Sequence, residues 1–213
     1  LASVQSDYQT TTVSLLKDDG SLCADSILNS GSTAPQLLTA LSGDVVLPSV
    51  VSPGGDLVLI DRYPNAVITV FDPQIAQVTM QMSVATGFAS NPQDIFFISD
   101  TKAYVSRAET NAAPSEEPND FDEGGDVLVL DMSTGRIVSR IDLQPYVTGE
   151  GEPSTIARPS QFAHAGGLVW LGLSNLSRDF QSAGPGTIVG IEPNTDVVDA
   201  VMRPEPFVNC NQL

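Results

Sequence analysis

An acidic residue closes a short β-branched strand at Asp72, Asp131 and Glu192, 59 and 61 residues apart. That recurrence limits the fold more than any other feature. Around each acid the same order repeats. Asn65–Asp72 is followed by Pro73 and then Gln77–Val84. Asp126–Asp131 is followed by Thr134-Gly135 and then Arg136–Leu143. Gly186–Glu192 is followed by Pro193 and Thr195, and then Asp196–Met202. Each copy reads as two alternating strands about a tight turn of Asp, Pro, Asn, Thr and Gly. A fainter copy lies upstream at Thr11–Lys17 and Ala24–Leu28. A unit of this size buries its apolar faces only by stacking on its neighbours, so the repeat dictates an array.

A second strand pair precedes each clear hairpin: Asp44–Pro48 with Asp56–Asp61, Gln93–Ser99 with Lys102–Arg107, and Ser160–Ala165 with Leu168–Leu173. Four antiparallel strands per unit make the blade of an all-β propeller. The expected blades are 1–30 (two strands only), 31–85, 86–145 and 146–205, with 206–213 as a connector to further blades. The whole chain 1–213 is then a partial β-propeller of about three and a half blades. No helical periodicity of any length competes with this reading.

The stretch Ala103-Tyr-Val-Ser-Arg107, then Gly124-Gly-Asp-Val-Leu-Val-Leu-Asp131, then Ser133-Thr-Gly-Arg-Ile-Val-Ser-Arg-Ile141 resembles the YVTN-type propeller repeat. The resemblance covers residues 44 to 202. It implies a bacterial or archaeal propeller, of a family in which many members are exported or associated with the cell surface and some are lactonase-like. The long acidic insert ahead of Asp126 is similar to the longer-looped surface lipoproteins of delta-type proteobacteria. A fold of this kind hosts unrelated functions, so the resemblance assigns no chemistry.

Asp and Glu number 26 against 9 Lys and Arg, giving a net charge of −17. Such a surface repels nucleic acid and anionic lipid, and suits cations or basic partners. No apolar run reaches the length of a membrane-spanning helix. The chain opens on Leu1 with no charged-then-apolar leader after it, which reads as a mature chain or an excised fragment. Lysine is scarce, Ser, Thr, Asn, Gln and Gly are plentiful, and only Cys23 and Cys210 are cysteines. These point to an exported protein, and the resemblance places it at a cell surface or bacterial envelope. The two cysteines fall on opposite faces of well-separated blades and are expected not to pair.

The densest charge is the run Glu116 to Asp126, with six carboxylates in eleven residues. Asp120, Asp122 and Asp126 alternate around Gly124-Gly125 and partly copy a calcium loop, which makes calcium the one cofactor to consider. The pattern lacks the closing Glu of that loop, since Ile137 stands there. The plain alternative is a solvated acidic turn. Asp179-Phe180 repeats Asp120-Phe121 59 residues on, which favours a structural role for the pair, with Phe as a plug. The single histidine, His164, reads as a packing residue on a first strand. Asn175-Leu-Ser177 has the form of a glycosylation acceptor. No nucleophile elbow is present.

In a propeller the connections between the second and third strands, and those between blades, share one face. Here they carry Asn91, Asp94, Tyr146, Glu150, Glu152 and Arg158, the expected ligand face. The chain therefore reads as a noncatalytic extracellular binding or structural module. The alternatives are a lactonase-like or other hydrolase, and a calcium-dependent adhesion module. Two strands plus three blades is half of a seven-blade ring. The expected partner is thus a second polypeptide completing the propeller, or a second copy of this chain.

Overall fold

The computed structural model describes residues 1–117, 120–147, 155–208 and 210. The chain is all-β, with antiparallel sheets taken in chain order. The first sheet has three strands, β1 (Ala2–Ser6), β2 (Thr11–Leu16) and β3 (Leu22–Asn29). The second has β4 (Val45–Val46), β5 (Leu57–Asp61), β6 (Val67–Asp72) and β7 (Gln77–Ser83). The third has β8 (Pro92–Phe97), β9 (Lys102–Thr110), β10 (Gly124–Asp131) and β11 (Arg136–Asp142). A two-stranded ladder joins β12 (Thr155–Ile156) to β15 (Leu176–Ser177). The fourth large sheet has β13 (Pro159–Ala165), β14 (Leu168–Leu173), β16 (Thr187–Glu192) and β17 (Val197–Met202). One 3-10 turn, Gln144–Tyr146, leads out of the third sheet.

Each large sheet pairs its strands in chain order, with β15 set apart between β14 and β16, and the third and fourth strands of each four-stranded sheet are joined by a short turn. The acids that mark the repeat act in these turns. The Asp72 carboxylate accepts from the Gln74 N–H at 2.7 Å, Asp131 from Ser133 at 2.9 Å, and Glu192 from Thr195 at 2.8 Å. A side chain that satisfies turn amides closes the hairpin locally, which is why the acid recurs.

The sheets pack face to face, and three clusters fill the gaps. Val13, Leu28, Leu59 and Phe71 lie between the first and second sheets. Ile60, Ile68, Val105 and Leu128 lie between the second and third. Tyr104, Val129, Leu171 and Val189 lie between the third and fourth. Alternate residues of the middle strands feed opposite clusters: Val105 and Leu128 one, Tyr104 and Val129 the other. Central sheets buried on both faces therefore read as continuous apolar runs. The first strands sit near one another, β13 against β8 and β9, and β8 against β5. The arrangement is propeller-like, and it does not close into a ring.

The first sheet departs from expectation. It has three strands, not two, and the added β1 precedes the pair read from sequence. The β1–β2 turn lies against the segment entering β4, where the Tyr8 N–H donates to the Gly43 carbonyl at 2.8 Å. In the other sheets that end belongs to the connection between second and third strands. The strands β1, β2 and β3 thus stand where β5, β6 and β7 stand in the next sheet.

Candidate functional site

The connections between second and third strands meet those between sheets on one face. Buried polar side chains at the ends of the second strands fix them there. In the second sheet this residue is Asp61, which accepts from the Ser42 N–H at 2.8 Å, from Ser42 Oγ at 2.5 Å and from Asn65 Nδ2 at 2.9 Å. In the third it is Arg107, fully buried on β9. Its guanidinium donates twice to Asp126, at 2.8 and 2.7 Å, to Thr86 Oγ1 at 2.6 Å, and to the Phe121 carbonyl at 2.7 Å. In the fourth it is Asn175, whose Nδ2 donates to the Pro185 carbonyl at 2.6 Å and to Thr187 Oγ1 at 3.0 Å. Three different side chains do one job at one place, tying the connection to the sheet.

Asp126 also takes the Arg140 Nε at 3.1 Å, and Arg140 reaches Glu123 at 3.3 Å. Burial pushes the Asp126 carboxyl up from its ordinary value, against the pull of the two guanidinia. Gly124, at φ +71°, lets β10 enter beneath Phe88; a Cβ there would collide with the Glu109 carbonyl and the Phe88 ring.

The insert of the fourth sheet and the connection ahead of β13 are tied to each other and to the end of β9. Arg158 is buried and forms an ion pair with Glu109, and its guanidinium lies 3.8 Å from the Phe180 ring centroid. Arg178 donates to the Thr110 carbonyl at 3.2 Å. The Asp-Phe pairs singled out in the sequence both adopt left-handed backbone, at Phe121 and Phe180. Phe121 packs on the core and offers its carbonyl to Arg107. Phe180 is 59% exposed and serves as the platform for Arg158.

The expected calcium triad is not gathered. Asp126 is engaged by two arginines. Asp120 accepts from Ser115 Oγ at 2.7 Å. Asp122 accepts from the Ser115 N–H at 2.9 Å and from Asn111 at 3.2 Å. Among the described residues no group of three or more His, Cys, Asp or Glu side chains is placed to hold a metal ion.

Of the expected ligand face, Asp94 lies inside the fold. Its carboxylate accepts from the Ser49 N–H at 2.9 Å, from Ser49 Oγ at 2.5 Å, from its neighbour Ile95 at 2.9 Å and from the Phe162 N–H at 2.9 Å. Desolvation pushes its carboxyl up. Asn91 has φ +52°, and its side chain accepts from Gln93 at 2.8 Å. Tyr146 packs on the cluster between the third and fourth sheets. Arg158 is the insert clamp. Glu150 and Glu152 lie outside the described residues. Glu116, Glu117 and Asp120 are exposed on this face, together with Arg178 and Phe180.

His164 is exposed, with its ring 6.1 Å from that of Phe96. Asn175 is fully buried, which shields its amide from glycosylation. Cys23 and Cys210 are both free. No helix among the described residues is long and apolar enough to cross a membrane.

Sequence reasoning missed the arginine anchors. Their signal was present: Arg107 interrupts the otherwise uncharged run Ala103–Ala108, and a charge inside a strand buried on both faces must be paired.

No known family pattern matches the chain, and no curated protein matches it. Among solved structures it is similar to dihydro-heme d1 dehydrogenase NirN in complex with DHE. Identity is 12%, the TM-score is 0.50, and the match covers 98% of this chain. The chain spans 37% of the length of that protein. At this identity the likeness is one of fold alone, and it accords with the propeller-like stacking of the sheets.

Proposed function

We propose that the four large sheets are consecutive propeller blades, and that the chain is a binding module whose insert face engages a basic protein partner. The observation that carries this reading is the division of charge on that face. Arg107, Arg140 and Arg158 turn inward to hold the connections, while Glu116, Glu117 and Asp120 are exposed, with Arg178 the exposed cation beside them. A scaffold that spends its cations internally presents a fixed anionic rim, which steers cationic partners and sets their orientation. The acid-rich, lysine-poor composition suits work at a cell surface or envelope, and we include that location in the proposal.

The test compares two faces at equal charge. One variant carries Glu116→Gln, Glu117→Gln and Asp120→Asn. A control carries Asp18→Asn, Asp19→Asn and Asp25→Asn, on exposed parts of the first sheet. Binding to immobilised lysozyme, a compact basic protein, is read at low and physiological salt. The first variant is expected to lose binding and the control to keep it. Equal loss in both would mean that only net charge matters, and the reading would fail.

A further inference from the structure

The gap between the second and third sheets and the gap between the third and fourth are closed differently at the end opposite the inserts. Asp61 and Arg107 mark matching ends of β5 and β9, so Asp56 matches Lys102 and Val58 matches Tyr104. Gly135 matches Asp196, and both have left-handed backbone. Each donates its N–H to the backbone carbonyl of the acid that closes the preceding strand, Gly135 to Asp131 at 2.8 Å and Asp196 to Glu192 at 2.9 Å. Between the third and fourth sheets the Tyr104 ring is buried completely. Its hydroxyl donates to Asp196, and Lys102 closes over it, with Nζ 2.6 Å from Asp196 and 5.6 Å from the ring centroid. Ring, ammonium and carboxylate there all come from the chain.

Between the second and third sheets the same places carry different side chains. Val58 is far smaller than Tyr104, Gly135 sends no side chain across, and Asp56 puts a carboxylate where Lys102 puts an ammonium. The result is a cavity of about 360 Å³. Val58, Val70, Met80, Phe97 and Met132 give it an apolar wall, and Asp56 and Asp100 belong to its lining. Among the described residues neither carboxylate forms an ion pair with a Lys or Arg side chain. Partial burial, and then the neighbouring Asp72 carboxylate, push the Asp56 carboxyl up from its ordinary value.

We propose that this cavity binds a small organic cation in which an aromatic ring is joined by a short chain to a primary ammonium. The ring takes the space that Tyr104 fills in the next gap, against the Met80 and Met132 thioethers and Phe97. The ammonium is held by Asp56 and Asp100, in the role that Asp196 plays for Lys102. The cavity falls in the size range of small-ligand sites, which are mostly apolar with a few placed polar groups. A bare metal ion suits it poorly, because two carboxylates supply too few oxygens and the wall is apolar. The site lies at the other end of the sheets from the inserts and stands apart from the basic-partner reading of that face.

The experiment uses the intact 213-residue chain and phenethylammonium as probe. Calorimetry follows binding, and NMR shifts of the Val58, Val70, Met80 and Met132 methyl groups locate it. The expected result is saturable binding with shifts confined to these groups and their neighbours. Phenethyl alcohol, which keeps the ring and loses the charge, is expected to bind on the order of tenfold more weakly, and phenylpropionate not at all. Asp56→Asn with Asp100→Asn is expected to weaken amine binding on the order of tenfold or more, while Asp18→Asn with Asp19→Asn, an equal change of charge on the first sheet, leaves it unchanged. Val58→Tyr, which restores the ring found in the next gap, is expected to abolish binding with Tm unchanged or raised. Gly54→Leu tests the same point from the rim, where an added Cβ has Asp56 Oδ2 as its near neighbour at 3.5 Å. Neutralising Glu116, Glu117 and Asp120 is expected to leave amine binding unchanged, which separates this cavity from the insert face. No binding at millimolar amine, equal binding of the alcohol, or indifference to both cavity-filling changes would overturn the proposal.

Discussion

Arg107 shows how single residues govern this molecule. Its guanidinium is buried completely, so its desolvation is offset by Asp126 and by the oxygens of Thr86, Phe121 and Val84. Arg107→Met should destabilise the chain by about 3–5 kcal/mol in urea unfolding, because Asp126 is left buried with one partner fewer. Arg107→Met combined with Asp126→Leu should recover a large part of that loss. If the double change costs as much as the single, the burden lies in the Thr86 and Phe121 bonds and not in the ion pair. The charge was visible in the sequence as an interruption of an apolar strand. Its partner was not: Asp126 was read as a metal ligand because alternate carboxylates around glycines serve both calcium loops and strand entries. Only the packing of β10 beside β9 brings Asp126 under Arg107.

At the scale of elements, Asp94 binds three of them together. It lies on β8, and its carboxylate reaches the β4–β5 connection through Ser49 and the fourth sheet through Phe162. Burial pushes its carboxyl up, so the folded chain holds the proton more tightly than the unfolded chain does. The sign follows: this group's contribution is full below the ordinary carboxylate range. It declines as pH rises from that value through the raised one. Asp94→Asn cannot titrate, so the gap in Tm between the parent and this variant should narrow as pH rises across that window. A gap that is flat with pH would mean that Asp94 titrates normally in the fold. Strand positions in the three clear repeats were legible because their alternation is strong. β1 was not, since Val4 is its one large apolar side chain and Ser and Gln fill the rest. It becomes a strand by pairing with β2, in a register from Ala2↔Leu15 to Ser6↔Thr11.

For the whole molecule, the two outermost sheet faces differ in kind. On the first sheet, Ser3 pairs with Ser14 and Gln5 with Thr12, opposite the face that carries Val4 and Val13. That face is polar. On the fourth sheet the rows opposite the core are Ala163, Trp170, Gly190 and Ala200, then Gly172, Ile188 and Met202, with no charge among them. Trp170 lies over Gly190, where a Cβ would meet its ring at 2.9 Å. The outward face of the fourth sheet is therefore the more apolar of the two. The apolar dye anilinonaphthalene sulfonate should bind the chain. Ala163→Glu with Met202→Glu should reduce that signal severalfold with little change in Tm, whereas Ser3→Glu with Thr12→Glu should leave it unaltered. Dye binding that ignores both pairs would place the exposed apolar surface elsewhere.

The sequence by itself determined the all-β class, the order of the strands and the acidic turns that close the outer hairpins. These depend on contacts between residues a few positions apart, and alternation with turn chemistry encodes them locally. Tertiary structure alone decided which charges are paired, that Asp94 and Arg158 tie neighbouring elements together, and that the first sheet has three strands. Those outcomes depend on residues brought together across tens of positions, such as Ser49 with Asp94 and Glu109 with Arg158. Local pattern carries no record of such distances, because the same carboxylate serves equally as a ligand, a rim charge or a buried anchor until its neighbours in space are known.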